Sequence, residues 1–275
     1  MTHYTLIDVS FLAHRALHTV GHVGKGGKHT EILYGLMTAC ETIRQVFPTA
    51  TQAFFFDGGY DYRKDILPEY KQHRRLVEKS PEEQEALKSM HKQLACFRDE
   101  AMLYMGVVNH FYQQGVEADD LIASATHSMH FEDRATIISS DQDLWQLLKA
   151  NKVDMWGIQS RKFMTEDKLF AEYGVTPDQW AKVKAYAGCS GDGIPGLPRV
   201  GDITAAKYVS GRKVRETLFA NAQETYDRNI QLTRLPCPDT RPVVLRKQET
   251  PINWNTLAAA IGEAPATPPK GIRPK

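Results

Sequence analysis

Three apolar runs in this chain each lead to an acid. Tyr4-Thr5-Leu6-Ile7 ends at Asp8, Ala53-Phe54-Phe55-Phe56 ends at Asp57, and Ala135 to Ile138 passes through Ser139-Ser140 to Asp141. Short apolar runs bounded in this way predict buried strands. Between the first two, Ile32, Leu33, Leu36, Met37, Cys40, Ile43 and Phe47 recur at helical spacing, which predicts a helix over Glu31 to Phe47. Further strands are expected at Val107-Val108 and at Val153 to Trp156, with helices after Asp119 and Asp141. Strands alternating with helices make an α/β fold with a mostly parallel central sheet covered on both faces. Ligands of such sheets bind outside the carboxyl ends of the strands, so the acids should gather at one rim.

Glu117-Ala118-Asp119-Asp120 and Asp141-Gln142-Asp143 supply the rest of the acid series. Taken alone, Glu117 to Asp120 reads equally as a helix start, because acids favour the first turn as caps and dipole partners. Taken with Asp8 and Asp57, the series asks for another explanation. Crowded carboxylates stay ionised when they are widely solvated or when hard divalent cations sit among them. An all-oxygen set suits Mg²⁺ or Mn²⁺, and two such ions are a device for phosphodiester cleavage.

The composition is that of an ordinary globular chain, with 42% hydrophobic and 24% charged residues. A net charge of +1 argues against nucleic acid only on average, since an acidic metal site offsets a basic patch elsewhere. Cys40, Cys96, Cys189 and Cys237 show no Cys-x-x-Cys pairing, which excludes a zinc ribbon and fits a reducing cytoplasm. No signal peptide or membrane span is expected.

Between the second and third strands, Ser80-Pro81-Glu82-Glu83 forms a capping box, and Leu87, Met90, Leu94, Phe97 and Ala101 make a narrow apolar stripe. The stripe alone favours a packed crossover helix over a mobile lid. From about Thr165 short helices are expected at Glu166 to Tyr173, Pro177 to Tyr186 and Ile203 to Val209, then a longer one at Glu216 to Leu232. The Pro-rich end, 263–275, should be a disordered tail.

Several of these pieces stand in one order that resembles the flap endonuclease and 5′-to-3′ exonuclease family, especially its bacteriophage members and the 5′-nuclease domain of bacterial polymerase I. They are Leu6-Ile7-Asp8 with Arg15, Phe56-Asp57-Gly58 with Arg63 and Leu67-Pro68-Glu69-Tyr70-Lys71 through Arg74, Glu117-Ala118-Asp119-Asp120, Ser140-Asp141-Gln142-Asp143, and Ile194-Pro195-Gly196 with Gly201. The resemblance implies a PIN-like nuclease domain over 1–160 with a helical arch at about 75–104. A helical subdomain over 161–262 would carry a helix-hairpin-helix element at about 186–210. It also implies first-metal ligands and supporting acids at Asp8, Asp57, Glu117 and Asp119, with Asp120 beside them. Asp141, Asp143 and Asp192 would form a second-metal group. Lys71 and Arg74 would stand at the arch base against the scissile phosphate, and Tyr70 would offer a ring for a terminal base.

The basic run Arg63, Lys64, Lys71, Arg74, Arg75 and Lys79 reads locally as a solvated face, and in the family context as a DNA surface. Arg15, Arg199, Gly201 and Lys207 complete the expected DNA contacts. Glycines and helix-start amides in the hairpin suit a phosphate backbone without reading bases, and the family hairpin often holds K⁺. Pro198-Arg199 stands where a glycine is more usual. The larger departure is Gly188-Cys189-Ser190-Gly191-Asp192, because Cys189 occupies an aspartate position and a neutral thiol is a poor ligand for Mg²⁺.

The expected function is a divalent-metal-dependent 5′ nuclease acting at single-strand to duplex junctions, removing primers or flaps during DNA replication. A DNA or RNA-DNA substrate with a 5′ end, replication proteins as partners, a monomeric state and a separate cytoplasmic polypeptide, in the host cytoplasm if viral, accompany that reading. The alternatives are a noncatalytic DNA-junction binder, a PIN-type ribonuclease and a small-molecule phosphohydrolase.

Overall fold

In the computed structural model, which describes residues 1–19, 30–76 and 79–256, six strands form one sheet in the order β3-β2-β1-β4-β5-β6. The strands are β1 (His3–Asp8), β2 (Thr51–Phe56), β3 (His110–Tyr112), β4 (Arg134–Ile138), β5 (Val153–Gly157) and β6 (Lys162–Met164). The first five are parallel, and β6 pairs antiparallel with β5. Strand order reverses between β1 and β4, so the crevice of this sheet lies at that junction.

Alternation along the strands builds two cores. Leu6, Phe55 and Ile137 face one side, with α7 (Ala118–Ser128) against them. Ile7, Phe54, Phe56 and Ile138 face the other, under α1 (Val9–Thr19), α2 (Glu31–Val46) and α5 (Pro81–Cys96). The remaining helices in chain order are α3 (Asp61–Ile66), α4 (His73–Leu76), α6 (Met102–Tyr104), α8 (Glu166–Tyr173), α9 (Pro177–Ala187), α10 (Asp202–Val209) and α11 (Ala222–Thr233). Trp180 and Val183 of α9 join the first core, so the C-terminal helices share apolar contacts with the sheet.

Five expectations shift. The third strand lies at His110–Tyr112 because Val107 donates to Met102 O at 3.0 Å and closes the preceding helix. After Asp141 there is only a 3₁₀ segment, Gln142–Leu147, begun by the Asp141 carboxylate accepting from Asp143 N at 2.9 Å. The run Glu216 to Leu232 breaks into a turn, Glu216–Leu218, and α11, since Phe219 turns inward and stacks on Tyr208 with ring centroids 3.8 Å apart. Neither β6 nor α1 was anticipated, and α1 starts directly at the end of β1. The expected tail, 263–275, lies outside the described residues.

The capping box at Ser80 is present, and α5 is docked along its later half. Met90 and Phe97 are buried, and Gln93 Oε1 accepts from Ile32 N and Leu33 N at 3.1 and 3.3 Å. Its first five residues, Pro81 to Glu85, are exposed. A wide π-type turn, Phe97–Ala101, continues the helix.

The segment 237–250 runs beside the sheet edge at β3 and is fastened by side chains. Asn109 exchanges two hydrogen bonds with the Arg246 backbone at 2.6 and 2.9 Å, and Gln113 does the same with Asp239 O and Arg241 N. Ser124 bridges Arg241 O and Val243 N, and Gln248 reaches Gly106 O and Val108 N.

Candidate active site

Asp8 stands at the β1 end of the crevice and does two things at once. Its Oδ1 accepts from Phe11 N at 2.9 Å, capping α1, while Oδ2 accepts from Ser139 Oγ at 3.0 Å at the end of β4. The cap reading and the acid-site reading are therefore both satisfied by one side chain. Asp57, one residue past β2, accepts from Ala118 N at 2.8 Å and is held against the start of α7. Gly58 makes this approach feasible, because a Cβ there would lie 1.8 Å from Gln113 O.

Glu117 precedes α7 and is the best-supported acid of the group. It accepts from Tyr70 Oη at 3.0 Å, pairs with Arg63 at 2.9 Å, and takes a hydrogen bond from Lys71 Nζ. Asp119 lies on the first turn of α7, half-buried, near Asp141, Asp8, Glu117 and Asp57. Asp141 and Asp143 come from the 3₁₀ start after β4. Asp192 and Cys189 come from a tight hairpin in which Gly188–Cys189 pairs with Ile194–Pro195. The Sγ of Cys189 and oxygens of Asp143 and Asp192 lie within 4.8 Å of one another.

The electrostatics record crowding. Burial, then Asp57, pushes the Asp8 carboxyl up to about 7. Burial, then Asp141, does the same to Asp143, against opposition from Lys184. Asp119 is pushed well above the usual carboxylate range by burial, and its four neighbouring acids add to the shift. Burial also raises Glu117, although Lys71 and Arg63 pull it down. Such a crowded set of hard oxygen donors fits divalent cations, which would relieve the repulsion. Asp8, Asp57, Glu117, Asp119, Asp141, Asp143 and Asp192 are the residues able to hold them.

Lys71 and Arg74 meet the acids at Glu117 and Asp192. Lys71 has a left-handed backbone, φ 55°, pinned by its N–H donating to Asp192 O at 2.8 Å. Its Nζ lies 3.4 Å from Asp192 Oδ1 and over the rings of Tyr60 and Tyr70. Burial works against its charge, but Glu117 and Asp192 overcome this and raise its pKa. Arg74 is 53% exposed and joins Asp192 Oδ1 at 2.8 Å and Gly191 O at 3.0 Å.

Two expected roles and one expected surface are corrected here. Asp120 is 0% exposed, and both its oxygens are taken by Arg63 at 2.6 and 2.9 Å, with Cys237 N at 2.7 Å on Oδ1. Arg63 is itself buried and spends its Nε on Leu232 O at 2.9 Å. This is an internal ion pair, so Asp120 turns away from the metal group and Arg63 from DNA. Tyr70, 3% exposed, meets Tyr60 edge-on at 5.3 Å and cannot offer its face to a base. The Arg75 side chain lies outside the described residues.

A lysine that the sequence reading passed over stands beside the acids. Lys184 is buried on α9, 3.9 Å from Asp143 and 3.5 Å from Asp202. The available signal was its position four residues after Trp180 and next to Val183 on the apolar face, where a lysine is rarely buried without a partner.

A model of the domain described as "5′-3′ exonuclease, N-terminal resolvase-like domain" matches residues 3–174. The chain belongs to the 5′-3′ exonuclease family. Among its relatives, it is 30% identical to DNA polymerase I of Mycobacterium leprae over 74% of this chain and 22% of that protein. It is 26% identical to a 5′-3′ exonuclease of Mycoplasmopsis pulmonis over 81% of this chain and 71% of that one. It thus spans under a quarter of the mycobacterial polymerase. Among solved structures, the T5 D15 protein co-crystallised with metal ions matches at a TM-score of 0.71 and 20% identity, covering 85% of this chain and 90% of that one. The likeness extends at a TM-score of 0.58 and 16% identity to human GEN1, over 96% of this chain and 68% of that chain.

The hairpin expected for DNA joins α9 to α10. Leu197 donates to Tyr186 O at 2.8 Å, Arg199 is exposed at φ 65°, and Gly201 precedes α10 with no side chain capping the helix. Lys207 is exposed on α10, while Arg15 is half-buried on α1. No helix among the described residues is long and apolar enough to cross a membrane.

Proposed function

We propose that this chain is a divalent-metal-dependent 5′-to-3′ exonuclease and flap endonuclease that hydrolyses DNA phosphodiesters near single-strand to duplex junctions. The observation that carries the reading is the convergence of acids from the ends of β1, β2 and β4 and the start of α7 on one crevice, faced by Lys71 and Arg74. Family membership and related structures support it, among them a T5 D15 flap endonuclease complex with DNA and metal ions and a T5 5′-exonuclease with zinc.

Asp8, Asp57, Glu117 and Asp119 would hold one ion, Mg²⁺ or Mn²⁺, and Asp141, Asp143 and Asp192 a second divalent ion. Bound there, the ions supply Lewis-acid stabilisation of the phosphate and an acidified water. The chain does the rest. Ser139 and Phe11 fix the Asp8 carboxylate, Ala118 N fixes Asp57, and the Arg63 bridge orients Glu117. Lys71 is held by its backbone and by Glu117, ready to meet negative charge that develops on the phosphate. Arg74, being exposed, can exchange Asp192 for a phosphate oxygen. Arg199, Lys207 and the free amides at Gly201 would position duplex DNA through its backbone, with K⁺ at the hairpin part of the same reading.

The nuclease unit over 1–160, the helical unit over 161–262 and an arch built on the exposed start of α5 belong to this proposal, as do primer removal and replication partners. Arg15 would add a cation at the crevice wall. The test is cleavage of labelled flap, nicked, blunt and single-stranded substrates with Mn²⁺, alongside Asp141→Asn. Junction-dependent products, lost in Asp141→Asn while DNA binding is kept or improved, support the reading. Binding with no product from any substrate would leave a junction binder instead.

A further inference from the structure

We infer that the Asp143, Cys189 and Asp192 group is a mixed sulfur and oxygen site that selects a thiophilic divalent ion, of the cobalt, zinc or cadmium class, over Mg²⁺. This rests on the nuclease reading, and concerns which ion its second group accepts. The three donor atoms lie within 4.8 Å of one another, and modest side-chain rotations would bring them to the edges of about 3.3–3.8 Å that one tetrahedral ion requires.

The donors are also preset by the chain. Cys189 and Asp192 come from the two ends of one 3₁₀ turn, closed by Gly193 donating to Ser190 O at 3.2 Å and by the pairing of Cys189 with Ile194. Asp143 comes from a different element, begun by Asp141. Cys189 is half-buried and is not in a disulfide; it packs beside the small apolar cluster of Tyr70, Ile194 and Leu232, and its sulfur lies within 4.8 Å of both carboxylates. Lys184 stands over Asp143, and Arg74 and Lys71 over Asp192, so the carboxylates already have cationic company, and Lys184 also acts on the thiol.

Soft thiolate ligands favour zinc-like ions, whereas carboxylate and water favour Mg²⁺. Binding breaks the S–H bond, sends the proton to solvent and gives the sulfur lone pair to the ion, with no change of oxidation state. A thiol at this position therefore does more than weaken Mg²⁺ binding, because it changes the order of preference.

Cobalt reports on sulfur directly. Titrating the metal-free protein with Co²⁺ should produce a thiolate-to-cobalt charge-transfer band in the near ultraviolet and release a proton. The band should vanish in Cys189→Ser and persist in Cys96→Ser, which removes the exposed cysteine. In Cys189→Asp, Mg²⁺ should displace cobalt at a concentration lower by about tenfold or more, the scale on which loss of support to a metal ligand is felt. Should Cys189→Ser not fold, protection of the native Cys189 thiol from alkylation by Co²⁺, read by mass spectrometry, gives the same answer. No band in the native protein, or an undiminished one in Cys189→Ser, overturns the inference. Flap cleavage by Cys189→Asp with Mg²⁺ separates the two proposals. Cleavage without a cobalt band in the native chain would sink this one alone, and a band with no cleavage by either protein would sink the nuclease reading alone.

Discussion

Arg63 offers the sharpest test, because its surroundings predict a stability effect and only an indirect effect on DNA. Replacing it by Met keeps the apolar stem and removes the guanidinium. Asp120, 0% exposed, then loses two hydrogen bonds of 2.6 and 2.9 Å and keeps only Cys237 N, and Glu117 loses a partner at 2.9 Å. Leu232 O loses its donor too. Breaking a buried pair from one side costs about 3–5 kcal/mol, since the remaining charge stays buried without compensation. At about 2–4 °C per kcal/mol for a chain of this size, Arg63→Met should lower Tm by about 6–20 °C. Adding Asp120→Leu should restore much of that loss, because replacing both partners by apolar groups is often neutral. Differential scanning calorimetry on the two single variants and the double variant supplies the cycle, and anisotropy with a duplex supplies binding. If Arg63→Met melts like the native protein while its DNA affinity collapses, the buried-pair argument is wrong and Arg63 is a DNA contact after all.

Three other outcomes are expected. Lys71→Ala should lower single-turnover cleavage by about 10²–10³-fold, the scale of removing one preorganised electrostatic donor, with a much smaller change in Kd; equal losses in both would count against a transition-state role. Metal-free protein should lose stability as pH rises from about 4 through 7, since Asp8 and Asp143 titrate near 7 when folded against an ordinary value of 3.8, so the folded state binds more protons in that window. Saturating Mn²⁺ should flatten the trend, and a melting temperature that climbs over the same range without metal would refute the crowding argument. Lys207→Ala should weaken duplex binding uniformly across sequences and reduce the salt slope by about one unit, and an unchanged slope would remove that residue from the interface.

The strands that carry the acids were legible because apolar runs and their terminal aspartates are local patterns. β1, β2, β4 and β5 fall where hydrophobicity placed them, and the helices at 166 and 177 start at Thr165 and Thr176, side chains that sequence marks as caps. What eluded the reading is nonlocal. Arg63 finds Asp120 and Leu232 across 57 and 169 positions, and a basic run cannot disclose which of its members turns inward. Tyr70 lies among polar neighbours in sequence yet is sealed by Glu117, Asp192 and Tyr60. The 3₁₀ segment after Asp141 escaped because a capping aspartate announces a helix start without saying how many turns will follow. β6 escaped because Lys162–Met164 is short and carries one charge in three residues.

The lacing of 237–250 along β3 has a mechanical meaning. An uncovered rim of main-chain donors and acceptors invites another polypeptide to add itself as an extra strand. Here glutamine, asparagine and serine side chains seal that border without a regular ladder, as stitches close a hem. A fragment ending near Pro236 would therefore open a selvedge prone to self-association, and would also take the Cys237 N–H from Asp120, whose Arg63 partner braces Glu117.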